Sequence, residues 1–142
     1  METLGSLIDK LTIVNLKQLH THDEWKRTTL KIHSRQLVTE INEYISDVLS
    51  GQIPREFLYQ PSHKVHIGTK SPSCLCVSMG EAISQLTTAN NGVWHMQEKV
   101  YDFRNVPTEQ KDEVIEQLAV FNLQRTKCID EIDRMFKEMI GR

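Results

Sequence analysis

Four polar residues interrupt the apolar stripes of this chain. Asn15 falls between Leu11 and Leu19, Asn90 between Leu86 and Val93, and Asn122 follows Leu118. Arg125 comes three residues after Asn122 and before Ile129. Projected at about 100° per residue, each lands on the apolar side of a helix. Three helices thus each bring an Asn to the core side, and the last adds an Arg. A buried amide without partners costs roughly 1–3 kcal/mol, and a lone buried charge costs more. These side chains are therefore expected to meet each other, water or a ligand. The plainest role of a buried Asn is to set register between helices. A polar ligand pocket is the second reading and catalysis the third.

Other residues with chemical potential surround them. Trp94 and Glu98 stand one and two turns after Asn90, and Trp94 would offer a base or sugar a stacking face. Glu98 could pair with Arg125 or with a ligand hydroxyl. His20 and His95 each lie near a stripe edge, where hydrogen-bonded structural histidines are common. Arg27, Lys31 and Arg35 repeat at i, i+4 and i+8, with no acid from Lys26 to Thr39. They form one basic face, either solvated or an anion contact across a subunit interface. Ile67-Gly68-Thr69-Lys70-Ser71-Pro72-Ser73 leads toward a helix, whose N-terminal amides with Lys70 could hold an anion. It lacks the first Gly and the spacing of a P-loop. No metal is expected, because Cys74-Leu75-Cys76 has no second Cys pair and His63 and His66 stand alone. No Ser/His/Asp or Cys/His order has supporting context, and Asp130 and Asp133 lack a matching acidic pair on another helix.

The elements that must position these residues are helical. The 142-residue chain is 39% hydrophobic and 25% charged, with ten Gly and Pro together. That is too apolar for disorder and too poor in breakers for a many-turned β-sandwich. One domain over 1–142 is expected, with enough burial at this length for a core without staples. No apolar run approaches a membrane span, and the N-terminus lacks the basic and apolar segments of a signal peptide. Three cysteines, odd in number and sparse, suit a reducing cytoplasm. A net charge of −2 argues against whole-surface nucleic-acid binding.

Residues 3–22 carry Leu4, Leu7, Ile8, Leu11, Val14 and Leu19 at helical spacing, and a second stripe of Asp9, Ile13, Leu16 and His20. A helix apolar on two sides needs neighbours on two sides, one of which can be another subunit. The second helix spans roughly 23–50, capped by Asp23 with Thr21 as a rival, and stopped near Gly51. Residues 51–73 hold Pro54, Pro61, Gly68 and Pro72 and read as a long loop with one short turn near 53–59. The third helix is expected to start at Ser71 or Ser73 and to run through Asn90-Asn91-Gly92, since its stripe keeps phase there. The last runs from Glu109 to Ile140, capped by Thr108. Four helices and a long loop between the second and third predict an all-α four-helix bundle.

Leu7-Ile8-Asp9-Lys10-Leu11-Thr12-Ile13-Val14-Asn15-Leu16-Lys17 with His20, then Asn90-Asn91-Gly92-Val93-Trp94-His95-Met96-Gln97-Glu98-Lys99, then Asn122-Leu123-Gln124-Arg125 with Lys127, Ile129 and Asp130, form three motifs in order. They resemble the small helical bacterial and phage proteins of the family of unknown function DUF4254. The resemblance covers the first, third and fourth helices. It implies that the interrupting polar residues are the family's motif residues, and it implies no activity. The acidic pair that follows Trp-His there stands here as Gln97-Glu98, with one carboxylate. In size and class alone the chain is also similar to short phage oligomers that sequester nucleotide signals, an analogy of architecture only.

The reading that follows is a non-enzymatic, homo-oligomeric protein that needs no cofactor and binds a small anionic ligand such as a nucleotide or nucleotide-sugar. Trp94 would stack, Asn15, Asn90 and Asn122 would read hydroxyls or base edges, and Glu98 would meet a hydroxyl. Arg125 would meet phosphate, with Lys70 as an outer contact. Nucleic acid and membrane are not expected partners. Two alternatives stand beside it. One is an enzyme on nucleotide or sugar phosphates with His95 or Glu98 as acid/base. The other is an interaction bundle whose polar core only fixes helix pairing.

Overall fold

Cap chemistry sets the helix ends. In the computed structural model, which describes residues 2–59 and 78–141, the Thr3 hydroxyl accepts from the Ser6 amide and starts α1, Leu4–His20. The Asp23 carboxylate accepts from the Trp25 and Lys26 amides, at 2.9 and 3.2 Å, and starts α2, Glu24–Leu49. Thr21, the rival, instead closes α1. At the far end of α2, Gly51 takes φ +82°, the left-handed turn that glycine adopts without strain. A short 3-10 turn follows at Arg55–Phe57.

α3 spans Met79–Tyr101, a later start than Ser71 or Ser73. The reason is local: Ser78 and Glu81 have the Ser-x-x-Glu spacing of a capping box, and the Ser78 hydroxyl accepts from the Glu81 amide at 3.2 Å. α3 runs unbroken through Asn90-Asn91-Gly92. Gly92 is there for packing, since a Cβ at that position would lie 2.6 Å from the Phe121 ring. A 3-10 turn at Phe103–Asn105 leads to α4, Thr108–Ile140. Thr108 is the first helical residue rather than the cap. Pro107 occupies the cap position, where its missing N–H costs nothing.

The chain is an all-α four-helix bundle. α1 packs against all three other helices, and α3 lies along α4. The core joins Leu4, Leu7 and Val14 of α1 to Leu37, Tyr44 and Val48 of α2, Leu86 of α3, and Cys128, Ile132 and Phe136 of α4. Leu58, just past the first 3-10 turn, is fully buried in it. Gly5 lets α1 touch α4, because a Cβ there would stand 2.5 Å from the Ile129 carbonyl oxygen. Among the described residues no helix is long and apolar enough to cross a membrane.

The core is uneven along the bundle axis. α2 meets α4 near its C-terminal half, where the Tyr44 and Phe136 rings are 6.2 Å apart. The stretch of α2 from residue 24 to 36 contains no buried side chain. On α1 the covered lines are Leu7–Val14 and Asp9–Leu16, and Asp9 in the second meets α3 and α4. Helical projection places Asn15 and Leu19 between those lines, and both are exposed.

Candidate functional site

One of the three asparagines is buried. Asn90 is 3% exposed, whereas Asn15 and Asn122 lie at the surface, correcting the expectation that all three face the core. Asn15 accepts a hydrogen bond from the Ser34 hydroxyl at 3.2 Å. Asn122 offers its backbone carbonyl to Thr126. The apolar residues that bracket Asn15 mislead, because Leu19 is itself 77% exposed.

Asn90 meets a residue that the spacing argument left in a second stripe. Its side-chain amide donates to Asp9 Oδ1 at 3.0 Å. Arg125 grips the same carboxylate with two bonds, Nε to Oδ1 at 2.8 Å and Nη2 to Oδ2 at 2.7 Å. Asp9 is almost wholly buried, so this fork is what makes its charge tolerable there. The hydrogen bond to Asp9 raises the Arg125 pKa further above its ordinary value. Two of Arg125's five N–H donors are thus committed inside the protein, to the Asp9 carboxylate rather than to the groove. The three residues tie α1, α3 and α4 together. The signal for Asp9 was present: a carboxylate at the centre of Leu7-Ile8-Asp9-Lys10-Leu11 must have a partner if that line is covered.

A second buried carboxylate lies nearer the base. Asp133 accepts from the Gly5 amide at 2.7 Å and from the Thr3 side chain, tying α4 to the start of α1. Burial pushes its pKa up to about 6 despite those bonds. Burial likewise pushes the Cys128 thiol up to about 11, where it is protonated and a poor nucleophile. The described residues contain no group of three His, Cys, Asp or Glu able to hold a metal ion. Cys74, Cys76, His63, His66 and Lys70 lie outside the described residues.

The candidate site forms where α1 and α3 meet near their C-terminal ends. Lys17, Trp94, Gln97, Glu98 and Tyr101 line a groove of about 350 Å³. Glu98 does not reach Arg125. Its Oε1 accepts from Trp94 Nε1 at 2.7 Å, one helical turn away, and this bond orients the indole. The His20 ring lies against the indole at 4.9 Å, tilted by 31°, and His95 meets His20 edge-on at 6.1 Å. His20 Nδ1 is 2.8 Å from the Leu16 carbonyl oxygen, so that nitrogen carries the proton and Nε2 is turned elsewhere. Of the sequence-derived candidates, Trp94 and Glu98 come together here. Asn90 and Arg125 belong to the buried network, and Asn15 and Asn122 are exposed outside the site. Lys17, His20, Gln97 and Tyr101 join the site through helical phase, since 17 and 20 share a face of α1 and 94, 97, 98 and 101 share a face of α3.

No family model, no curated protein and no solved structure matches the chain. The chemistry of the groove must therefore be read from its own residues. It offers an aromatic wall fixed by a carboxylate, a second ring in Tyr101 and a lysine ammonium, with the His20 imidazole packed against the indole. That combination favours a flat ring system joined to a negative group.

Proposed function

We propose that this chain is a non-enzymatic small-ligand-binding protein whose ligand is planar and anionic, of the nucleotide or nucleotide-sugar class. The observation that carries the reading is Trp94, held by Glu98 and braced by His20 at the wall of a groove that also contains Lys17. An orientated indole loses little entropy when a base stacks on it, and a nearby ammonium supplies the phosphate contact. The second Glu98 carboxylate oxygen suits a sugar hydroxyl. A binding role is favoured over turnover because the Glu98 carboxylate already holds the indole and the Cys128 thiol is buried and protonated.

Tryptophan emission tests this directly. Trp25 is 77% exposed and distant in role from the groove, so Trp25→Phe leaves Trp94 as the only reporter. Titration of that variant with nucleotides, cyclic nucleotides, ADP-ribose and sugar phosphates should quench or shift Trp94 emission for one class. Lys17→Ala should then weaken binding by about tenfold or more, the equivalent of one charge-assisted hydrogen bond. A silent panel, with no change in melting temperature, would overturn the reading. Conversion of the bound compound, lost in Glu98→Gln, would replace it with the enzymatic one.

A further inference from the structure

A second cavity adjoins the ligand groove. It lies where α3 ends and the 3-10 turn at Phe103–Asn105 leads into α4, and its volume is about 310 Å³. Glu98 lines both cavities, so its carboxylate stands at the wall between them. Lys17 lines the groove and Lys99 lines the second cavity. Neither ammonium forms an ion pair among the described residues. The rest of the second cavity differs from the groove. No aromatic ring lines it. Its polar groups include the side-chain amides of Asn105 and Gln110, and Val106 and Pro107 give it a small apolar patch. Asn105 Nδ2 donates to Asp102 Oδ1 at 2.7 Å, which holds that amide in place and leaves its carbonyl oxygen as an acceptor.

We infer that the second cavity is a sugar subsite, and that the ligand is a nucleoside diphosphate joined to a sugar. This rests on the reading of the groove as a nucleotide site and narrows it. The base stacks on Trp94, and its ribose hydroxyls meet the Glu98 carboxylate that orients the indole. The phosphates cross the Glu98 wall between Lys17 and Lys99, two ammoniums that offset the carboxylate there. The sugar then enters the second cavity. Amides suit its hydroxyls because an amide, like a hydroxyl, both donates and accepts. Val106 and Pro107 suit the C–H face of the sugar ring. A second base is disfavoured in this cavity, since it would find no ring to stack on. Size agrees, because each cavity lies near the lower end of the roughly 300–1,000 Å³ of small-molecule sites, and the pair gives room for two ring systems.

Paired titrations test the subsite. In the Trp25→Phe background, Trp94 emission is followed against UDP, ADP and GDP, and against UDP-glucose, ADP-ribose and GDP-mannose. At least one pair should bind, with the sugar conjugate about tenfold tighter or more than its parent diphosphate. Asn105→Ala with Gln110→Ala should then lower the conjugate to the affinity of the parent and leave the parent unchanged. Both side chains are exposed, so the fold tolerates the change, and binding of the parent by the double variant shows that it is folded. A conjugate that binds no tighter than its parent overturns the subsite while the groove keeps its nucleotide, as does a double variant that retains the preference. If no diphosphate and no conjugate binds, and none moves the melting temperature, the reading of the groove fails and the subsite fails with it.

Discussion

Arg125 shows how one side chain can satisfy two demands at once. Its guanidinium neutralises a buried carboxylate, and its planar fork fixes the angle at which α4 passes α1. Arg125→Ala would leave the Asp9 charge buried with only the Asn90 amide beside it. The expected cost is roughly 2–4 kcal/mol, the scale for breaking one side of a buried pair, softened because Arg125 is about a third exposed. Urea unfolding measures it directly. Replacing both partners, with Asp9→Leu and Arg125→Met, should recover most of that loss. If the double variant is no more stable than Arg125→Ala, the pair's electrostatics are not what matters at this position. The polar character of the motif was legible in the sequence, because Asn90 and Arg125 each interrupt an apolar stripe. Its pairing was not, since residues 9, 90 and 125 meet only once three helices are packed.

At the level of the helices, periodicity and cap chemistry carried most of the information. Asp23 and Gly51 mark the ends of α2 through the groups that backbone amides and a left-handed turn require. Ser78 is legible in the same way through its spacing to Glu81, while Pro72 gives a competing start signal upstream. The error at Asn15 and Asn122 has a different origin. Projection onto a wheel shows which residues share a line, but not whether a neighbouring helix covers that line over its whole length. α2 buries no side chain from residue 24 to 36, so lines that are apolar by composition open to solvent partway along. Gly92 offers a test at this scale. Inside a helix, Gly→Ala usually stabilises by up to about 1 kcal/mol. Here the added methyl would meet the Phe121 ring at 2.6 Å, so Gly92→Ala should lower the melting temperature, with a net loss of about 1–3 kcal/mol. Adding Phe121→Leu should relieve part of it, and a melting temperature unchanged by Gly92→Ala would show that the ring moves aside freely.

For the whole molecule, Asp133 puts a slope into the dependence of stability on pH. Its pKa is about 6 in the fold against an ordinary aspartate value of 3.8, because burial disfavours its charged form. The folded chain then binds more protons than the unfolded chain between those values, and stability from this group rises as pH falls through 6. Asp133→Asn keeps an acceptor for the Gly5 amide but removes the titration. Between about pH 7 and about pH 5, wild type should gain about 1 kcal/mol relative to this variant. A constant difference across that range, followed by chemical unfolding, would contradict the assignment. The hydrogen bond between Gly5 and Asp133 has a further consequence, for kinetics. It joins residues 128 positions apart, and the Asp9–Arg125 fork joins residues 116 apart. The helix at the centre of the bundle therefore gains two of its tightest polar contacts only when almost the full length of chain has looped back. Loop closure of that span precedes the contacts that reward it, which slows the search for the native state. Until it succeeds, the α1–α2 hairpin must survive with the Asp9–Leu16 line of α1 uncovered. The same long-range closure that completes the bundle is thus the step at which a newly made chain is most exposed to aggregation.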